Sequence, residues 1–161
     1  MKKTLFIVHF LLVVLSFSSF SQELSENDKK FEKGIKYIKK YQRVQAKAIF
    51  DEIIKDNPNY TTAYYERAKI NEYYKKDSLA IVDYTVVSND HKEIKTQTNA
   101  HARILDLLFK NDGSCTSQAK NHIAALIILD PDGYKGYIYN GICKFHSGQY
   151  EEAISDLTTA Y

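Results

Sequence analysis

The sequence predicts an all-α chain, an α-solenoid of about four helix-turn-helix hairpins placed after an export signal. Three observations carry that prediction: small residues recur at a fixed interval, both prolines stand where second helices should end, and the apolar residues follow a helical rather than a strand period.

Gly34 and Ala68 stand 34 apart, as do Ala68 and Ala102. A second series repeats the interval, with Ala46 and Ala80 differing by 34 and Ala119 and Ala153 by 34, while Ala80 and Ala119 differ by 39. The two series agree once five extra residues are placed between Ala102 and Ala119, where Asn111, Asp112, Gly113 and Ser114 read as a loop. Gly141 restores the register, preceding Ala153 by 12 as Gly34 precedes Ala46 and Ala68 precedes Ala80. Two helices approach closely only where small side chains face each other, so these residues mark hairpin crossings, and a bulky replacement overpacks them. Tyr37, Phe50, Tyr84 and Leu157 are the large residues expected to fill the space beside them.

The first helix is expected at about 28–40, after a capping-box-like Ser25 and Asp28. Its partner at 44–55 stops at Asp56-Asn57-Pro58-Asn59, because proline cannot continue a helix. Helices at 61–74, 78–88, 93–110 and 116–129 follow, and Asp130-Pro131-Asp132-Gly133 forms the next turn before 134–147 and 150–161. Tyr64-Tyr65 and Thr85-Val86-Val87 have strand-forming chemistry, but their neighbours keep a helical period.

In this register the chain resembles the tetratricopeptide repeat (TPR) family, whose 34-residue signature runs W-x2-L-G-x2-Y, then A-x3-F, then P. The first unit offers Gly34, Tyr37, Ala46, Phe50 and Pro58; the second Tyr64, Ala68, Ala80 and Tyr84. The third keeps Ala102, Leu105, Ala119, Ile123 and Pro131, and the fourth Tyr137, Gly141, Gly148, Tyr150, Ala153, Leu157 and Ala160. Lys30 replaces the large aromatic, Asn71 and Lys144 replace a tyrosine, and unit two lacks the proline. The resemblance implies a right-handed solenoid with units at about 27–60, 61–94, 95–133 and 134–161, the last incomplete.

Ahead of the repeats, Lys2 and Lys3 precede an apolar run from Leu5 to Leu15, interrupted by His9. The run is shorter than the ~20 residues a spanning helix needs. Ser19 and Ser21 then fit the small-x-small rule of a signal peptidase, so residues 1–21 are expected to leave after Ser21, with 22–26 as a short lead. That places the mature chain in the periplasm or outside the cell. An uncleaved anchor is the alternative. The leader holds two of the 22 basic residues and none of the 20 acids, so the mature chain is formally neutral. The lysines of 29–40 are interleaved with Glu26, Asp28 and Glu32 and read as a solvated helix face, giving no support to a nucleic-acid partner.

No phosphate loop, dinucleotide fingerprint, HExxH or CxxC is present, and the histidines fall one to an element, so neither catalysis nor a cofactor or metal is expected. Cys115, in the enlarged turn, and Cys143, on the helix expected to stack beside it, could form a disulfide, although a helix-packed free thiol is also ordinary for cysteine. What remains is surface. In a solenoid the first helices line the inner face. By helical spacing that face carries Phe31 in unit one and Tyr65, Lys69, Glu72 and Tyr73 in unit two. Asn99, Arg103 and Asp106 follow in unit three, then Lys135 and Phe145 in unit four. Aromatics mixed with amide and guanidinium donors suit an extended peptide or a helix. The TPR branch that grips carboxylates uses basic residues where Phe31 and Tyr65 stand, so that activity is not implied.

The expected function is therefore a non-enzymatic scaffold that binds a protein or peptide. The alternatives are a repeat appendage of a longer enzyme or sensor, and a small-molecule or glycan receptor. Ile154, Leu157 and Ala160 are expected to be poorly covered, which suggests a longer chain or self-association through that end.

Overall fold

The computed structural model describes residues 24–111 and 114–160. The expected leader, Asp112 and Gly113 of the expected loop, and Tyr161 lie outside them. Among the described residues there are eight helices and no strand: α1 (Glu26–Lys39), α2 (Arg43–Asp56), α3 (Thr61–Tyr73), α4 (Asp77–Ser88), α5 (Ile94–Asn111), α6 (Ser117–Leu129), α7 (Tyr134–His146) and α8 (Tyr150–Thr159). Each odd helix pairs with the even helix after it, and each even helix packs on the next odd one. Contacts confined to neighbours make this a solenoid of four hairpins.

The crossings fall where the small residues recur. A Cβ added at Gly34 would stand 2.6 Å from the Phe50 ring, and one at Gly141 would stand 2.8 Å from Leu157 Cγ and 3.2 Å from the Ala153 carbonyl. Ala68 and Ala80 are buried with Tyr84 in the second hairpin, and Ala102 and Ala119 with Ile123 in the third. Ala46, Phe50 and Ile53 form the core of the first. Each cluster also takes residues from the following first helix, so burial runs on from hairpin to hairpin.

The first, second and fourth hairpins turn in the same way. Tyr41, Lys75 and Gly148 have left-handed backbone, with φ of 61°, 56° and 78°. Each stands seven residues after its crossing residue. The amide after each donates back five residues along the chain, Gln42 to the Tyr37 carbonyl, Lys76 to Asn71 and Gln149 to Lys144, all at 2.9 Å. This is the Schellman stop, which satisfies carbonyls that a helix end leaves unpaired. α5 runs through Phe109 to Asn111, so Asn111, expected in the loop, ends the helix instead. Between hairpins, Asn57 and Asp130 close α2 and α6 by donating to the Ile53 and Leu126 carbonyls at 2.7 and 2.9 Å.

At the head of α1, which begins two residues earlier than the sequence suggests, Ser25 Oγ accepts the Asp28 amide at 3.2 Å and Asp28 accepts the Ser25 amide at 3.1 Å. Cys115, beside the enlarged third turn, is disulfide-bonded to Cys143 on α7, with Cα atoms 5.3 Å apart. On α8, Ile154 and Leu157 stay 66% and 37% exposed.

Left-handed backbone costs a non-glycine residue about 1–2 kcal/mol. Lys75→Gly should therefore stabilise the fold by up to about 1 kcal/mol, after glycine's own entropic cost is deducted. Urea unfolding of the variant beside the parent checks this, and an unchanged or lowered midpoint would count against the turn assignment.

Candidate interaction face

The odd helices carry most of the residues expected on the inner face. Tyr65 on α3, Asn99 and Arg103 on α5, and Lys135 on α7 line one shallow hollow of about 170 Å³, joined by Thr98, Asp130 and Tyr134. Three successive hairpins thus converge on one spot. Tyr65 is half-buried, its ring edge-on to Tyr84 at 5.5 Å, with the Lys69 ammonium 5.6 Å from its centroid. Lys69 itself is held by Glu66 at 2.8 Å.

A ladder of charges fixes the polar members. Arg103 donates to Glu72 on α3, which also accepts the Tyr84 hydroxyl at 3.1 Å. The other arm of Arg103 reaches Asp106 at 3.5 Å, and Lys135 donates to Asp106 at 3.0 Å. The Tyr139 hydroxyl donates to the same carboxylate. α3, α5 and α7 are therefore tied across the face by ion pairs that are half-exposed and individually weak. Glu72, Arg103, Asp106 and Lys135 neutralise one another. The face offers oriented donors and tyrosine rings rather than net charge.

Three expected residues stand elsewhere. Phe31 packs between Phe50 and Tyr60, each ring 5.6 Å away, because its register turns it into the first core. Tyr73 lies under Arg43 of the preceding hairpin, 3.9 Å from guanidinium to centroid. Phe145 is 58% exposed, but at the end of α7 against Tyr150, with 5.4 Å between ring centres.

No family model matches this chain, and no curated protein does. Solved structures with a similar fold include those of MamA, a TPR-like helical protein. A MamA RS-1 ArsTM double mutant superposes with a TM-score of 0.65 at 18% identity, over 86% of this chain and 75% of that one. MamA MSR-1 C2 gives 0.64 at 17%, over 92% and 82%. MamA 41-end from Desulfovibrio magneticus RS-1 gives 0.61 at 18%, over 84% and 75%. Identity at this level carries the fold alone.

Sequence reading missed a second set of contacts, the polar pair beside the crossings of hairpins two, three and four. In hairpin two, Arg67 donates to both oxygens of buried Asp83 at 3.0 and 2.6 Å and reaches back to Asp51 at 2.8 Å. Asn71 adds a bond to Asp83 at 3.1 Å. In hairpin four, Asn140 donates to Asp156 at 2.8 Å. Hairpin three puts His101 Nδ1 and His122 Nδ1 2.8 Å apart in the same position. The signal was present, since Arg67 and Asp83, like Asn140 and Asp156, are separated by 16 residues, and the five-residue insertion turns 16 into the 21 between the histidines. Among the described residues no three His, Cys, Asp or Glu side chains gather as metal ligands.

Burial, and then the neighbouring His122, push the pKa of His101 down to about 4. Burial lowers that of His122 as well. One imidazole donates to the other, so both are neutral in the fold. The unfolded chain binds protons more readily than the folded one below the ordinary histidine pKa of about 6.5. Stability should thus be full above pH ~6.5 and fall on the order of 2 kcal/mol as pH drops toward 4. The double variant His101→Asn/His122→Asp, which copies hairpin four, should shift that loss into the carboxylate range below about pH 4. Urea midpoints between pH 7 and pH 4 check it, and parallel curves for the two proteins would contradict it.

Proposed function

We propose that the chain is an exported, non-enzymatic scaffold that holds an extended peptide or a helix of an envelope protein against its odd-numbered helices. One observation carries this reading: Tyr65, Asn99, Arg103 and Lys135, from three successive hairpins, surround a single hollow. A peptide laid across such a face meets tyrosine rings for contact area and fixed donors for its backbone carbonyls. Bonds to Glu72 and Asp106 hold Arg103 and Lys135 in place beforehand, so little of their side-chain freedom is lost on binding. The likeness to MamA supports a protein-binding fold, and the leader-like amino terminus supports export. The neutral ladder disfavours a bare carboxylate as the main determinant. The partner segment should instead be polar with an apolar or aromatic anchor.

Photo-crosslinkers at positions 65 and 99 in intact cells test the reading against one at Val44, which is 68% exposed on α2. The expected result is one common adduct from 65 and 99 that Val44 does not give, reduced at least about tenfold by Asp106→Ala, which unties the ladder. Identical adducts from all three positions would remove the face from the account.

A further inference from the structure

The cations of this chain are unevenly placed. From Lys33 to Phe50 the sequence holds six basic residues and no acid. The acids upstream are partly committed, since Asp28 caps α1 and accepts the Tyr60 hydroxyl at 2.7 Å. Elsewhere many cations meet acids, as Lys30, Arg67, Arg103, Lys110, Lys135 and Lys144 all do. Lys36, Lys39, Lys40, Arg43, Lys75 and Lys76 form no ion pair among the described residues, and all but Arg43 are exposed.

These six sit at the first two hairpin turns. The turns are neighbours, because Arg43 covers Tyr73 and Tyr73 meets Tyr74 edge-on at 5.2 Å. Lys39-Lys40-Tyr41 and Tyr73-Tyr74-Lys75-Lys76 therefore form one edge. Its rings are open to solvent, Tyr41 at 80%, Tyr73 at 60% and Tyr74 at 43%. Beside it, Lys33, Lys36, Tyr37 and Lys40 border a shallow hollow of about 200 Å³ whose lining holds no acid.

We propose that this edge docks on an anionic phospholipid surface. Ammonium groups free of carboxylate partners are drawn to the negative potential of such a bilayer. Tyrosine, apolar in the ring and polar at the hydroxyl, settles at the level of the headgroups. The hollow beside Tyr37 seats a headgroup phosphate. Turn tips standing side by side meet a flat surface, and their three exposed tyrosines reach it together. Tyr73, expected on the inner face, belongs to this edge. The hollow of Tyr65 and Lys135 lies away from it, so the two binding modes stand or fall separately.

Sedimentation of the full chain with vesicles tests the proposal, using phosphatidylglycerol mixed equally with phosphatidylcholine against phosphatidylcholine alone. The parent should bind the anionic vesicles at least about tenfold more tightly, and added salt should erase the preference. Lys39→Glu/Lys40→Glu/Lys75→Glu/Lys76→Glu should lose it while keeping the helical circular dichroism spectrum. The milder change of the same four lysines to Gln should lose most of it, should the first variant fail to fold. Tyr41→Asn/Tyr74→Ser, with Asn suited to left-handed backbone, should weaken binding and leave its salt dependence. Every variant keeps the same apolar amino terminus, so differences report the edge alone. Equal binding to both vesicles, or an unchanged preference in both lysine variants, would overturn the proposal. So would retention on polyglutamate without vesicle binding, which would assign the edge to an acidic protein.

Discussion

The close approach of two helices in each hairpin governs the rest of this molecule. Gly34 leaves no room between α1 and the Phe50 ring, and Gly141 leaves little before Leu157 and the Ala153 carbonyl. Tyr84 and Ile123 fill the same place opposite Ala68 and Ala102. Interiors packed to this density tolerate neither a gap nor an extra methyl group. With the crossing set, the residue before the small one must face the residue before the large one. Arg67 meets Asp83, His101 meets His122, and Asn140 meets Asp156. A buried polar group without a partner is costly, so the second, third and fourth hairpins each supply a matched pair, and the pairs differ in charge and in response to acid.

Stacking then sets the outer chemistry. Successive first helices lie near enough for Glu72, Arg103, Asp106 and Lys135 to bond in sequence, a ladder that exists only because three hairpins share one orientation. It neutralises the inner face and leaves tyrosines and donors as its recognition groups. The turns of the first two hairpins have no such answering acids, and there the charge stays open to solvent. One repeat therefore produces two surfaces of different character. The disulfide between Cys115 and Cys143 joins the enlarged turn of the third hairpin to the first helix of the fourth.

Hairpin number, helix limits and crossing residues were legible in the sequence because each depends on local spacing: the recurring glycines and alanines, the prolines and the Ser25–Asp28 cap. The end of α5 was not, since Asn111 continues the helix despite its turn-like neighbours in sequence. Phe31 was assigned to the inner face from helical register alone, whereas the rings of Phe50 and Tyr60 draw it into the core. Tyr65, Asn99, Arg103 and Lys135 were legible as members of one face, but their convergence on one hollow depends on how α3, α5 and α7 stack. The histidine pair was hidden because its separation equals the regular interval only once the insertion is counted. The basic edge was obscured by Glu26, Asp28 and Glu32, which interleave with lysines in sequence yet stand nearer the opposite end of α1.

The crossing can be examined through a double-mutant cycle between Gly34 and Phe50, read by urea unfolding. In the parent, Gly34→Ala should destabilise, because the new methyl group meets the buried Phe50 ring despite alanine's helix preference of up to about 1 kcal/mol. In a Phe50→Leu background the same change should become neutral or stabilising, a coupling of at least about 1 kcal/mol. Equal effects in both backgrounds would show that the two helices do not meet at this pair, and the account of the hairpins would fail with it.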